Sequence, residues 1–118
     1  MITTQQVTAW MDAYVYAWTT GARDDIEALF TRHAEYHELP YETSWVGRDR
    51  ILAGWRSRQK WQEGGWTFDW KILMVTGNVA AVQGRGVYKE LGTFDNLWVV
   101  TVDTDGRCSA FRMWNTEV

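Results

Sequence analysis

Two carboxylic acids and two phenols in this chain could carry out proton transfer. Glu38 and Asp69 are candidate bases, and Tyr14 or Tyr36 could act as the proton donor. A carboxylate surrounded by aromatic rings has a raised pKa and can exchange protons near neutral pH. The competing interpretation makes Glu38 a solvated residue beside Pro40 and Asp69 an outward-facing strand residue. We therefore predict a pocket with acid–base catalysis through Glu38 or Asp69, or else the same pocket without catalysis.

Aromatic side chains are unusually abundant, with 9 Trp, 5 Tyr and 4 Phe among 118 residues. Indoles are large and need a partner for the N–H group when buried, so ordinary cores use mainly Leu, Ile and Val. The surplus indicates an aromatic cavity for a hydrophobic or aromatic small molecule, with a solid core or a dimer interface as the alternative. The candidate substrate-binding residues are Trp18, Tyr36, His37, Trp55, Tyr88, Asn96, Trp98, Arg112 and Trp114.

The two histidines, His33 and His37, could suggest a metal site together with Glu35 or Glu38. Residues four apart in a strand lie about 13 Å from each other, which is too far to share one ion. Pro40 would stop any helix that brought them together. We therefore predict no metal and no other cofactor.

Basic residues are concentrated near the middle of the chain. A solvated helix face accounts for such a run, and attraction of an anionic ligand to the mouth of a cavity is the alternative. Arg112, further along, could stack on a ring, bind a carboxylate or form a salt bridge at the rim. The basic run comprises Arg48, Arg50, Arg56, Arg58 and Lys60.

Composition limits the class of protein. The formal net charge is −3, from 12 Lys and Arg against 15 Asp and Glu, so no positive field favours nucleic acid as a partner. No apolar run approaches the roughly 20 residues that cross a bilayer, and the N-terminus lacks a signal-peptide pattern. The lone Cys108 excludes an internal disulfide and fits a reducing cytoplasm. We predict one cytoplasmic domain over residues 1–118 with no membrane partner.

Three helices are predicted in the first half of the chain. Apolar residues recur at three- and four-residue spacing over residues 4–20, and Gly21 ends that helix. Asp24 is expected to cap a short second helix that extends through Phe30. Gly47 opens a third amphipathic helix.

Strands dominate the second half. A short strand is predicted at residues 34–39 and a loop at 41–46, before four β-rich runs. Gly-Asn and Asp-Gly turns favour antiparallel hairpins between those runs, and helices followed by strands indicate an α+β fold. The four runs are 66–75, 79–89, 94–103 and 108–116.

Alternation along these runs assigns side chains to faces of the sheet. Gly84 and Gly86 share a face with Tyr88, where missing side chains leave room for a ligand or mark a bend. Another shared face comprises Phe68, Trp70, Ile72 and Met74.

The string LFTRHAEYHELPYETSWVGRDRILAGW and the ending DTDGRCSAFRMW, in this order of elements, resemble the SnoaL-like branch of the nuclear transport factor 2-like superfamily. The resemblance covers nearly the whole chain. It implies a cone-shaped, curved, mostly antiparallel sheet whose concave face is covered by three N-terminal helices around an apolar cavity, usually in a homodimer. The superfamily includes ketosteroid isomerase, scytalone dehydratase, limonene epoxide hydrolase and polyketide cyclases. Tyr14 resembles the oxyanion donor of ketosteroid isomerase in type and location.

Two functions follow as expectations. The first is a homodimeric protein whose aromatic cavity binds a small molecule, acting if catalytic as a cofactor-independent isomerase, dehydratase, hydrolase or cyclase. The second is a non-catalytic dimerisation or protein-interaction module, in which outward-facing rings such as Trp66 and Trp70 form a flat partner-binding surface.

Overall fold

The computed structural model covers residues 1–118 and contains three α-helices, one 3-10 turn and six strands. In chain order these are α1 Thr4–Thr20, α2 Arg23–Glu27, β1 Phe30–Leu39, β2 Thr43–Val46, α3 Arg48–Ser57, the 3-10 turn Gln59–Gln62, β3 Trp66–Thr76, β4 Val79–Tyr88, β5 Gly92–Val102 and β6 Cys108–Glu117. The strands form one sheet in the order β2-β1-β6-β5-β4-β3. Only β1 and β6 are parallel neighbours. The predicted α+β class with a mostly antiparallel sheet is confirmed.

Helix α1 has the caps and the buried stripe that the sequence indicates. Thr3 and Gln6 form a capping box at its start, and Gly21 ends it with a φ of 63°, a left-handed conformation that glycine adopts without strain. The buried stripe packs against the concave face of the sheet. It consists of Val7, Trp10, Met11, Tyr14, Ala17 and Trp18.

Helix α2 is shorter than predicted, and its cap was assigned wrongly. Ala22 occupies the N-cap and makes no side-chain hydrogen bond there. Asp24 lies inside the first turn, where its negative charge interacts favourably with the helix dipole. Phe30 starts β1 instead of ending a helix. The backbone next to it pairs with the last strand, as the Cys108 N–H donates to the Leu29 carbonyl at 2.7 Å. Long-range pairing therefore outweighs the local helical pattern.

Part of the predicted loop at 41–46 is a strand. Residues of β2 pair antiparallel with β1, and Trp45 lies opposite Tyr36. The two rings stack at 5.0 Å between centroids with an interplanar angle of 21°. This edge strand is only four residues long, so its own sequence carries little alternation.

A β-bulge interrupts the alternation of β3, so the prediction that Met74 shares a face with Phe68, Trp70 and Ile72 is wrong. The register shifts between Ile72 and Met74, so Met74 is 61% exposed and Val75 packs against the core in its place. On β4 the predicted pattern holds, since Gly84 and Gly86 lie on the inner face.

The core lies between α1, α3 and the concave side of the sheet. Its largest fully buried rings are Trp55, Trp98, Tyr36, Phe30 and Phe111. Phe111 stacks on Tyr36 at 4.5 Å, and Trp98 meets Phe111 edge-on at 5.0 Å. No helix combines the length and apolarity needed to span a membrane.

Candidate functional site

A cavity of about 470 Å³ opens where the C-terminal half of α1 faces β1 and the N-terminal part of β3. The cavity lies between the aromatic core and solvent, and the core side chains do not fill it. Thirteen of its nineteen lining residues are hydrophobic. The residues at its wall are Tyr14, Val15, Trp18, Tyr36, Glu38, Tyr41, Thr43, Arg58, Trp61, Trp66, Phe68, Gly86, Tyr88, Leu91, Phe94, Asn96, Trp98, Met113 and Asn115.

Strand register explains how these side chains converge. Glu38 on β1 lies opposite Met113 on β6, which lies opposite Trp98 on β5. One step further along the same inner face, Asn115 lies opposite Asn96. Because adjacent strands are about 4.8 Å apart, Glu38 is separated from Trp98 by about 10 Å across the sheet. The cavity therefore has an acidic side at β1 and an amide side at β5 and β6.

Glu38 is the only buried charged residue, with 5% of its surface exposed. Arg58 forms an ion pair with it, with Nη1 lying 3.2 Å from Oε1 and donating to Oε2 at 3.3 Å. Burial raises the pKa of Glu38 above its ordinary value, and the Arg58 guanidinium opposes part of that rise. The carboxyl group is therefore suited to accepting and returning protons in an apolar site.

Arg58 is held by two indoles and a hydroxyl. Its guanidinium carbon lies 4.5 Å from the ring centroid of Trp45 and 4.6 Å from that of Trp61. Nη2 donates to Thr43 Oγ1 at 3.0 Å. A cation between two aromatic faces keeps favourable electrostatic contacts after losing water. These contacts fix the partner of Glu38 in one position.

Gly54 makes this arrangement possible. A Cβ at this position of α3 would overlap the ring of Trp45. The missing side chain lets β2 and α3 approach closely enough for Trp45 to lie between the helix and Tyr36. The sequence analysis did not single out Gly54 or Trp45 for this role.

Tyr14, Tyr36 and Tyr88 contribute phenol groups to the cavity wall. Tyr14 and Tyr36 lie with their oxygens 3.4 Å apart, and either can donate to the other. Burial raises the pKa of Tyr14, Tyr36 and Tyr88, and the negative charge of Glu38 adds to the rise at each of them. The phenols therefore stay protonated at neutral pH and act as hydrogen-bond donors beside a carboxylate.

Amide and indole groups face the cavity from the opposite side. Asn96 Nδ2 donates to Asn115 Oδ1, and Trp98 Nε1 donates to Asn96 Oδ1 at 3.4 Å. Asn115 keeps its own amide N–H groups for another acceptor. These residues could orient a polar group on a bound molecule.

Many of the residues expected at the site do lie at the cavity wall. On α1 these are Tyr14 and Trp18. On the sheet they are Tyr36, Glu38, Tyr88, Asn96 and Trp98. Their roles in binding or catalysis remain predictions.

Four other residues expected at the site lie outside the cavity. Asp69 is exposed between two inward-facing rings, and His37 points to the opposite face from Tyr36 and Glu38, where it contacts Glu35. Arg112 and Trp114 are exposed on the outer face of β6. The physical reason is the same in each case, because neighbouring residues in a strand alternate between faces.

Three tryptophans also differ from expectation. Trp55 is fully buried beneath Tyr14, with ring centroids 4.8 Å apart, and does not reach the cavity wall. Trp66 lines the cavity and Trp70 packs against the core, so neither forms the outward-facing surface expected of them.

Arg58, Trp61 and Asn115 are wall residues that the sequence did not single out as a site. Arg58 belongs to the basic run for which a position at the mouth of a cavity was the alternative prediction, and Arg58 does line the cavity. No local pattern links it to Glu38, twenty residues earlier. No three His, Cys, Asp or Glu side chains come together in a way that could hold a metal ion.

The model of the SnoaL-like domain family matches residues 11–115 of the chain. No curated protein matches the sequence. Among solved structures, 301 chains match the fold of this chain significantly.

Three solved structures illustrate the similarity. A protein of unknown function with a cystatin-like fold from Methylobium petroleophilum has a TM-score of 0.80 at 15% identity, over 99% of this chain and 80% of that one. A proposed ketosteroid isomerase from Kribbella flavida has a TM-score of 0.76 at 19% identity, over 98% of this chain and 81% of that one. An LEH-like epoxide hydrolase from M. tuberculosis has a TM-score of 0.66 at 19% identity, over 96% of this chain and 84% of that one. At these identities the similarity shows the fold alone.

Proposed function

Because the chain belongs to the SnoaL-like family, within the nuclear transport factor 2-like superfamily, we propose that it binds a hydrophobic or aromatic small molecule and transforms it without a cofactor. The reaction class is isomerisation, dehydration, hydrolysis or cyclisation, with Glu38 as the acid–base group. The observation that carries the proposal is a single buried carboxyl group at the wall of an open, ring-lined cavity.

The dimensions of the cavity support small-molecule binding. Ligand sites usually have volumes of about 300–1,000 Å³ and combine apolar walls with a few directed polar groups. The cavity of about 470 Å³ falls in this range, and its polar groups are confined to a few positions. A flat ring system would contact Phe68, whose ring stacks at 5.3 Å on the almost fully buried Trp98.

The chemistry begins with ionised Glu38 taking a proton from the bound molecule. Negative charge then develops on an oxygen of that molecule, and a neutral phenol of Tyr14 or Tyr36 stabilises it by hydrogen bonding. Glu38 returns the proton at a second position, or the leaving group departs with it. Arg58 supports the ionised form of Glu38 before the proton is taken and keeps the carboxylate oriented.

The neighbours of similar fold are consistent with this reaction class, since they include a proposed ketosteroid isomerase and an epoxide hydrolase.

A location in the cytoplasm fits Cys108, which is free and buried.

Proton abstraction can be tested without knowing the natural substrate. We expect the protein to accelerate deuterium uptake from D2O at the carbon next to the carbonyl of 2-tetralone, followed by proton NMR. Glu38→Gln should abolish the acceleration. Asp69→Asn is the matched control, because it removes an exposed carboxylate on the outer face, and it should keep the full rate. Equal rates for the Glu38→Gln variant and the unmodified protein would exclude Glu38 as the base.

A second candidate function is assembly of two copies through the outer face of the sheet. Leu97, Trp114 and Leu39 lie side by side on β5, β6 and β1, and all three are exposed. An exposed apolar row in the middle of a sheet favours burial against a second copy. Native mass spectrometry should give twice the chain mass, and Trp114→Lys should give a monomer. A monomeric unmodified protein at micromolar concentration would contradict this assembly.

A further inference from the structure

Two hydrogen bonds in series fix the direction of both side-chain amides at the β5–β6 side of the cavity. Trp98 is 1% exposed, and its indole N–H, which can only donate, points to Asn96 Oδ1 at 3.4 Å. The amide nitrogen of Asn96 therefore faces Asn115 and donates to its Oδ1. A flipped amide at either position would oppose two N–H groups, so the buried indole sets the polarity of the whole series.

The amide nitrogen of Asn115 is the free end of this series. The only side-chain hydrogen bond of Asn115 is the one that its Oδ1 accepts, so both N–H groups on Nδ2 lack a partner in the protein. Three unpaired side-chain polar atoms are sealed from solvent, in Trp18, Arg48 and Trp55, and Asn115 Nδ2 is not among them. Because Asn115 lines the cavity, its amide nitrogen is open to a molecule bound there.

The position of Asn115 relative to Glu38 follows from strand register. Met113 lies opposite Glu38, and Asn115 follows two residues later on the same face of β6. One strand spacing across the sheet and two residues along it separate the Cα atoms of Glu38 and Asn115 by about 8 Å. Both side chains line one cavity, so a single ligand of two or more fused rings can span them.

From this arrangement we propose that Asn115 Nδ2 binds a second, non-reacting oxygen of the ligand, such as a ketone or ester carbonyl, while Glu38 acts near the other end. The proposal rests on the proposed function and narrows its ligand class to fused-ring compounds that carry an oxygen at each end. Tyr14 or Tyr36 holds the reacting oxygen, and Asn115 sets the direction in which the molecule lies. Asn96 is a positioning residue, because it acts through Asn115.

The second oxygen is an uncharged one. Glu38 and Arg58 are the only charged residues at the cavity wall, and they neutralise each other. A ligand carboxylate at Asn115 would lose water without gaining a counter-ion, which is costly in apolar surroundings. A carbonyl oxygen has less hydration to lose and accepts from the N–H groups of Asn115.

Two probes of nearly equal shape test the proposal. 6-Acetyl-2-tetralone carries a second carbonyl at the end of the ring system away from the first, and 6-isopropenyl-2-tetralone has a CH2 group in place of that oxygen. In calorimetric titrations we expect the unmodified protein to bind the acetyl compound about fivefold more tightly, equivalent to about 1 kcal/mol. Asn115→Leu should abolish or reverse this preference while both probes still bind.

Two aspartate variants separate the donor from the rest of the amide series. Asn115→Asp keeps an oxygen for the Asn96 amide but removes both N–H groups, so it should also abolish the preference. Asn96→Asp still accepts from Trp98 but cannot donate, so Asn115 turns its nitrogen toward the new carboxylate and presents its oxygen to the cavity. This variant should abolish the preference although Asn115 itself is unchanged.

Thr116→Val is the matched control. Thr116 follows Asn115 in β6 and is exposed on the outer face of the sheet. Its replacement leaves the cavity wall unaltered, so the fivefold preference should remain.

Infrared spectra of the bound acetyl compound supply a direct signature. Its aryl ketone absorbs separately from its ring ketone, and hydrogen bonding should lower the aryl ketone frequency in the unmodified protein but not in Asn115→Leu. Equal affinity for the two probes, or a preference that survives in both Asn115 variants, would overturn the role of Asn115 and leave the cavity proposal intact. Failure of both probes to bind would overturn the proposed function as well.

Discussion

Arg58 Nη1 lies 3.2 Å from Glu38 Oε1, and theirs is the only ion pair in the molecule in which both side chains are largely buried. The remaining ion pairs involve exposed groups and contribute little to stability. Burying two charges costs hydration, and removing one partner leaves the other uncompensated. This pair therefore dominates the pH dependence that we expect of the protein.

Glu38 should make the protein less stable as pH rises through the acidic range. Its folded-state pKa is raised, so unfolding releases a proton between the unfolded pKa of about 4.3 and the higher native value. Relative to Glu38→Gln, the free energy of unfolding of the unmodified protein should fall with rising pH in that window and then level off. The slope cannot exceed about 1.4 kcal/mol per pH unit. Urea unfolding from about pH 4 to about pH 8 measures it.

The control for this prediction is Glu35→Gln. Glu35 lies on the same strand but its side chain is exposed. This variant should follow the pH profile of the unmodified protein. A Glu38→Gln profile that runs parallel to the unmodified one would contradict a raised pKa at Glu38.

Removing Arg58 should raise the pKa of Glu38 further. Arg58 supplies the charge and the hydrogen bond that oppose the effect of burial. Arg58→Met should therefore shift the carboxyl titration to higher pH, and the shift can be followed by carbon-13 NMR of labelled glutamate. Arg58→Lys keeps the charge but loses the forked geometry, so its titration should fall between the two. An unchanged titration in Arg58→Met would rule out coupling between the two groups.

Gly54→Ala should be destabilising only while Trp45 is present. The new Cβ overlaps the Trp45 ring, and overpacking of this kind costs about 1–3 kcal/mol. In a Trp45→Ala background the clash is absent, and the better helix propensity of alanine should make the same change neutral or stabilising by up to about 1 kcal/mol. Urea unfolding of the four proteins of this cycle measures the coupling. Equal effects in both backgrounds would show that the close approach does not matter.

Gly86→Val should reduce ligand binding more than stability. Gly86 lines the cavity, and a Cβ there would lie 3.2 Å from Tyr88 Cε2 and 3.6 Å from Phe68 Cδ1. The two additional methyl groups extend into the cavity, so affinity for a flat aromatic ketone such as 9-fluorenone, measured by calorimetric titration, should fall at least about tenfold. Stability should change by less than about 1 kcal/mol, since valine suits a strand.

Val87→Ala controls for a general effect of altering β4. Val87 is exposed on the outer face of the same strand, so its removal should leave binding unchanged. Undiminished binding by Gly86→Val would mean that the probe occupies another place.

Much of the fold could be predicted because its signals are local. The buried stripe of α1, the stop at Gly21 and the hairpin turns between β3 and β6 all follow from neighbouring residues. β2 and the start of β1 could not be found in this way. The start of β1 depends on pairing with β6, far along the sequence, whereas β2 pairs with the neighbouring β1 but is too short to show its own pattern.

The site could be predicted only in part for a related reason. Alternation allows either His37 or Glu38 to face the cavity, but the sequence does not say which face is concave. Asp69 could likewise face either side of the sheet, and it faces outward because its neighbours Phe68 and Trp70 both face inward. Arg58 reaches Glu38 through the packing of α3 against β1, which no spacing in the sequence records.

The parallel contact between β1 and β6 also determines when the site can form. In the order β2-β1-β6-β5-β4-β3, β6 is the only link between the Glu38 strand and the remainder of the sheet. During synthesis on the ribosome, β1 must wait for a segment made about seventy residues later before it acquires that neighbour, and such distant closures slow folding. The cavity wall at Glu38 is consequently completed last, and a nascent chain halted before β6 would expose the aromatic side chains of the core to chaperones.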